Sequence, residues 1–159
     1  MNNTYLLLGS NMGNNQEQLQ TAIKLIEERV GKLIRQSSLY ATAAWGNTDQ
    51  PDFLNQVLII ETRFGAVETL DKLLEIEKKM GRVRTIKNAP RIIDIDILFF
   101  NDDIINEQQL TVPHPEIQNR RFVLTPLNEL SPNLVHPVLK QPLSVLLQHC
   151  PDRLDVRKF

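Results

Sequence analysis

The sequence predicts an α+β fold: a ferredoxin-like βαββαβ antiparallel sheet with helices packed on it and a proline-rich C-terminal extension. Three observations lead there. Residues with strand propensity and period-2 patterning fill four segments, apolar residues recur at helical spacing in two others, and the order along the chain is β-α-β-β-α-β. After residue 112 the texture changes, because seven of the nine prolines fall there and leave room only for short helices.

Residues 4–8, TYLLL, read as a buried first strand, and GSNMGNN behind them is a cluster of turn formers. Leu19, Ala22, Ile23, Ile26 and Val30 then lie on one side of a helix, with Asn14 or Asn15 as N-cap and Gly31 as its stop. Residues 33–42 and 53–63 are expected to form an antiparallel pair of strands, separated by a loop rich in Gly, Asn, Asp and Pro. The second helix is predicted over 66–80, with Leu70, Leu73, Leu74 and Glu77 on one side and Gly81 just past its end. A basic loop without apolar period, RVRTIKNAP, leads into the last strand, PRIIDIDILFF. Short helices around 116–121, 123–130 and 142–149 complete a C-terminal wrap, and both long helices are expected on one face of the sheet.

Length and composition fit one domain over residues 1–159: 42% hydrophobic and 23% charged residues are ordinary for a globular protein. Eighteen Lys and Arg against nineteen Asp and Glu give a net charge of −1, which excludes a general electrostatic pull toward nucleic acid or membrane. Cys150 is the single cysteine, and the N-terminal MNNTYLLLGSN lacks a basic region followed by a long apolar run. A cytoplasmic location is expected. No apolar run approaches the roughly 20 residues that span a bilayer.

The last strand carries the chemistry. Ile93, Ile95, Ile97 and Phe99 alternate with Ile92, Asp94, Asp96, Leu98 and Phe100, so two carboxylates share one strand face. At about 7 Å apart and an effective dielectric of about 20, two such charges repel by about 2 kcal/mol. Two readings relieve that repulsion. The strand could be an edge whose aspartates meet water or arginine, or the pair could hold Mg²⁺, which takes oxygen ligands from one or two carboxylates and from substrate phosphates. The surroundings favour the second: Arg82, Arg84, Lys87 and Arg91 precede Asp94 closely, and Arg120 and Arg121 follow His114. A metal-binding carboxylate pair beside cations is what phosphate-transfer sites use. GSNMG is not followed by Lys-Ser or Lys-Thr, so it is no P-loop and reads as a turn. His114, His136 and His149 lack zinc-ligand spacing, and no Ser, Cys or Lys is marked as a nucleophile, which argues for direct transfer between bound substrates.

These blocks together resemble the 6-hydroxymethyl-7,8-dihydropterin pyrophosphokinases of folate synthesis: LLLGSN, QPDFLNQV, IEKKMGRVR, KNAPRIIDIDIL, LTVPHP and NRRFVLTPL, spread over essentially the whole chain. The resemblance implies transfer of the pyrophosphoryl group of ATP to the hydroxymethyl oxygen of the pterin, with release of AMP. It implies that Asp94 and Asp96 hold two Mg²⁺ ions and that Arg82 and Arg91 are catalytic. Thr42, Ala43, Trp45, Phe53, Asn55 and Phe122 would bind the pterin, which lies between the two phenylalanine rings. Glu77, Arg84, Arg91, Ile97, Thr111, His114 and Arg120 would belong to the nucleotide site, and the protein would be a monomer. Ala43-Ala44-Trp45 stands where many members carry proline, the loop from Val83 to Pro90 is short, and Gln109 and Pro115 replace an Arg and a Tyr of some members.

Three other readings compete. βαββαβ is also the topology of an RNA-binding module, but such a module displays stacking aromatics on the strand that here displays aspartates. A nucleotidyl transferase would release pyrophosphate instead of AMP. A catalytically silent domain leaves the Asp and Arg concentration without a purpose.

Overall fold

The computed structural model describes residues 1–10, 14–42, 52–81 and 93–159. Strand β1 (Asn2–Ser10) is followed by helix α1 (Asn15–Arg29), strands β2 (Lys32–Gln36), β3 (Tyr40–Thr42) and β4 (Phe53–Thr62), helix α2 (Ala66–Lys79) and strand β5 (Asp94–Phe100). Beyond these lie a two-stranded ribbon, β6 (Ile105–Asn106) and β7 (Thr111–Val112), a 3-10 turn at Ile117–Asn119, helices α3 (Arg121–Leu130) and α4 (Leu143–Gln148), and a last strand, β8 (Arg157–Lys158). The main sheet runs β5-β1-β4-β3-β8, with β2 also paired to β4, and every pairing in it is antiparallel.

Both faces of this sheet are covered. Leu6, Leu8, Leu54, Leu58, Ile60, Ile95 and Ile97 face α1 and α2, whose Leu19, Ala22, Ile26, Leu73 and Ile76 complete one core. Leu7, Val57, Leu98 and Phe99 face the other way and pack with Val123, Leu124, Leu127, Leu143 and Leu146 of α3 and α4. The expected wrap is therefore a second helical layer. The central strands β1, β4 and β5 send apolar side chains to both faces because each face has a helix layer to meet.

Several local expectations change. The first strand does not stop at Leu8 but continues through Gly9 and Ser10, each paired with β4. The expected strand 33–42 is two pieces, β2 and β3, because residues 37–39 leave the ladder; Ser37 instead donates its N–H to the Val57 carbonyl and accepts the Val57 N–H on its hydroxyl. On α2 the buried stripe is Thr69, Leu73, Ile76 and Glu77, while Leu74 is 40% exposed. Gly81 ends α2 at φ 91°, the left-handed conformation that glycine adopts without a Cβ clash. Gly31 serves a different need: a Cβ there would meet the Glu61 carbonyl oxygen, so only a bare α-carbon lets the α1–β2 connection pass β4.

One correction bears on the aspartate strand. Tyr5 pairs with Phe99 and Leu6 with Ile97, which leaves Leu98 as an extra residue in β5. Strict alternation stops there. Leu98 and Phe99 both join the α3–α4 core, and Phe100 joins the α1–α2 core, so Phe99 does not share a face with Ile93, Ile95 and Ile97.

Candidate active site

Pairing across an antiparallel sheet sets residues on a common face, and one such row reads Asp94, Gly9, Asn55, Tyr40. The next row toward the α3–α4 core reads Asp96, Leu7, Val57. Phe53 lies two residues before Asn55, opposite Thr42, and so belongs to the same face. The structure thus brings together Asp94, Asp96, Asn55, Phe53 and Thr42 on one side of the sheet. Asp94 and Asp96 are half-buried and Asn55 and Thr42 are buried.

Gly9 explains how the row stays open. A Cβ at Gly9 would lie 2.7 Å from Asn55 Oδ1, so the Asn55 amide lies across bare backbone on the side of Asp94. The sequence carried a signal for this, since glycine inside a strand marks a close approach, but GSNMG reads as a turn when the strand is ended at Leu8.

Glu77 approaches from the opposite layer. Its carboxylate accepts the Ile95 N–H at 2.7 Å and is only 2% exposed. The bond fixes the β5 backbone between the two aspartates. Ile97 turns its side chain into the α1–α2 core, away from the aspartates.

The 113–122 segment closes the same face. His114 donates its backbone N–H to the Leu98 carbonyl, and its Nδ1 accepts the Glu116 N–H at 3.1 Å, which leaves Nε2–H as the donor of the neutral ring. Burial, joined by the Arg120 guanidinium, lowers its pKa below the usual histidine value against the opposing pull of Glu116 and Asp94. His136 makes the same kind of turn, accepting the N–H groups of Val138 and Leu139 on Nδ1 within the second core. Arg120 precedes α3 and its guanidinium lies 5.9 Å from the centre of the Phe122 ring. Phe122 is partly buried against the α3–α4 core. Thr111 is exposed in the β6–β7 ribbon, paired with Asn106. The other residues expected at the site, Ala43, Trp45, Arg82, Arg84 and Arg91, lie outside the described residues.

Among the described residues no three His, Cys, Asp or Glu side chains gather into a metal cluster. The donor set at Asp94 and Asp96 is two carboxylates, which suits a hard divalent cation that takes its remaining oxygens from substrate and water.

Fold and site define a class: an antiparallel α+β protein with an acidic strand face, bordered by an Arg–His pair on one side and an aromatic and amide patch on the other. The family described as 7,8-dihydro-6-hydroxymethylpterin-pyrophosphokinase (HPPK) matches residues 5–132, and the chain belongs to it. A 2-amino-4-hydroxy-6-hydroxymethyldihydropteridine pyrophosphokinase of Aquifex aeolicus is 41% identical over 143 residues, covering 90% of this chain and 89% of that one. The folic acid synthesis protein fol1 of Schizosaccharomyces pombe is 43% identical over 150 residues, but the match spans 94% of this chain and only 20% of that larger protein. A solved wild-type Plasmodium falciparum HPPK-DHPS superposes with a TM-score of 0.75 over 93% of this chain and 43% of that one; at 22% identity this likeness concerns the fold alone.

Proposed function

We infer that the chain catalyses its family's reaction: it transfers pyrophosphate from ATP to 6-hydroxymethyl-7,8-dihydropterin, giving AMP and the pterin diphosphate, in folate synthesis. The observation that carries the reading is the single sheet face that holds Asp94 and Asp96 together with Phe53 and Asn55. Asp94 and Asp96 would hold Mg²⁺, two ions by the family reading, which when bound would supply positive charge to the phosphate oxygens. Phe53 and Phe122 stack on the pterin ring. Asn55 hydrogen-bonds the ring edge, with Thr42, Ala43 and Trp45 beside it.

The nucleotide lies on the side of His114 and Arg120, with Glu77, Arg84, Ile97 and Thr111 in its neighbourhood. His114 offers Nε2–H to a phosphate or ribose oxygen, since its Nδ1 is engaged by Glu116. Ile97 contributes through its backbone, as its side chain is in the core. Arg82 and Arg91 act on the transferring group, where fixed positive charge is worth more in the transition state than in the ground state. Catalysis on this reading is positioning plus charge neutralisation, without a covalent intermediate.

The β5-β1-β4 order, with β2 and β3 outside β4, supports the ferredoxin-like reading of the sheet. The helix layers on both faces of that one sheet support a single domain over 1–159. Among the described residues no helix is long and apolar enough to cross a membrane. A monomer in the cytoplasm completes the proposal.

The test is incubation with ATP, Mg²⁺ and the hydroxymethyldihydropterin, followed by identification of the adenine nucleotide. Pterin-dependent AMP without free pyrophosphate is expected. Pyrophosphate release would point to nucleotidyl transfer, and no pterin-dependent turnover would overturn the assignment.

A further inference from the structure

The family match ends at residue 132, yet the chain continues into the sheet that carries the site. Strand β8 pairs Lys158 with Tyr40 and Arg157 with Ala41. The row through Asp94, Gly9, Asn55 and Tyr40 therefore extends to Lys158. Strand β3 has three residues and is cut off from β2 by residues 37–39, so without β8 it would be a very short outer edge. Two further contacts and one favourable charge hold β8 there. Phe159 donates its N–H to the Leu39 carbonyl at 2.8 Å, Arg157 Nη2 lies 3.2 Å from Asp52 Oδ2, and Lys158 adds positive charge beside Glu129, the carboxylate that accepts the Tyr40 hydroxyl. Asp52 is the residue before Phe53. The tail thus grips both strands that carry Thr42, Phe53 and Asn55.

We propose that residues 157–159 are a positioning element for the acceptor: they set the register and closeness of β3 against β4 and so hold Phe53, Asn55 and Thr42 in place for the pterin ring. The inference rests on the reading of those three residues as the pterin face. Its consequence is selective. Three strands lie between the aspartates and β8 in the sheet order, and Glu77 and His114 approach β5 from other elements, so the nucleotide side is held without the tail. The exposed Arg157–Asp52 pair contributes little by charge alone; its place next to Phe53 is what matters.

Two variants test this, one lacking residues 157–159 and one carrying Arg157→Ala. Trp45 is the only tryptophan, so pterin binding is read by its fluorescence independently of turnover. Loss of the tail should weaken pterin binding and raise the pterin KM by about fivefold, with kcat and the ATP KM changed by less than about twofold. Arg157→Ala should show a smaller change of the same kind, and Arg157→Lys should recover part of it. Unaltered pterin binding in the shortened protein overturns the proposal. So does a parallel loss of pterin binding, ATP binding and kcat with a fallen Tm, which marks a purely structural tail. Absence of pterin-dependent AMP from the unaltered protein counts against the proposed reaction instead, and the fluorescence titration still decides the role of the tail. An unaltered protein that binds no pterin overturns both.

Discussion

A methyl group on Gly9 would reach within 2.7 Å of Asn55 Oδ1 and 3.8 Å of Asn55 Cγ. Asn55 is 5% exposed, so its amide has little room to swing clear. Gly9→Ala should therefore cost about 1–3 kcal/mol of stability, the range for overpacking, and weaken pterin binding more than ATP binding. Denaturant titration and the two binding curves check it; an unchanged pterin affinity would mean that Asn55 is not confined by Gly9. Asp96→Asn keeps the shape of the strand and removes one charge from the aspartate pair proposed to hold metal. It should lower kcat by about 100-fold or more with the far-ultraviolet circular dichroism preserved, and near-normal turnover would sink the metal assignment. At this scale the sequence points most directly where an unusual residue type interrupts a pattern. Two aspartates within an apolar strand stand out by themselves, and Phe53, Asn55 and His114 enter as candidates through the resemblance of the motif blocks. Gly9 does not, because a glycine before Ser-Asn looks like a turn until the strand is known to run through it.

At the scale of the elements, β5 depends on a residue from another layer. Glu77 reaches from α2 to the Ile95 N–H, the amide between the two aspartates. Glu77→Ala leaves that N–H without this acceptor, at a cost of about 1–3 kcal/mol for a buried group, and should loosen the β5 backbone where the carboxylates are mounted. Glu77→Gln retains an acceptor oxygen and should cost clearly less. Amide hydrogen exchange at Ile95 separates the two, and equal protection in the Ala variant and the unaltered protein would show that Glu77 does not hold the strand. The helices were legible from periodicity, α1 and α2 to within a residue or two of their ends. The breaks in regularity were not. The extra residue at Leu98 and the gap between β2 and β3 arise from pairing with neighbours far along the chain, and a period-2 pattern read within one segment carries no record of its partners.

The whole molecule is a sheet gripped by two helix layers, and one polar contact ties the site strand to the layer beyond it. The Tyr40 hydroxyl donates to Glu129 Oε1 at 2.7 Å, and the same carboxylate accepts the Ser38 N–H and hydroxyl at 3.1 Å. Burial and the carboxylate beside it push the Tyr40 pKa up from 10.0 to about 12. For Glu129 partial burial acts upward, but the hydrogen bonds from Tyr40 and Ser38 and the charge of Lys158 outweigh it and leave the carboxyl below its ordinary value of 4.5. The signs differ. Glu129 has a depressed pKa in the folded state, so its contribution is complete above about pH 4.5 and is lost as pH falls through the folded value. Tyr40 has a raised pKa, so its contribution is complete below about pH 10 and is lost as pH rises toward 12. Tyr40→Phe removes the bond and should destabilise by about 1 kcal/mol at neutral pH, since Glu129 is exposed and partly screened. The gap in Tm between the unaltered protein and Tyr40→Phe should then be constant across the neutral range and shrink at both ends, below about pH 4.5 and above about pH 10. A gap that is the same at every pH would mean that Tyr40 acts by packing alone. A gap that closes only at the acid end would leave the carboxylate in place and remove the phenol from the titration. Because Tyr40 is paired with Asn55 in the same row as Asp94, the difference in pterin affinity between the unaltered protein and Tyr40→Phe should follow the same pH course as the stability gap.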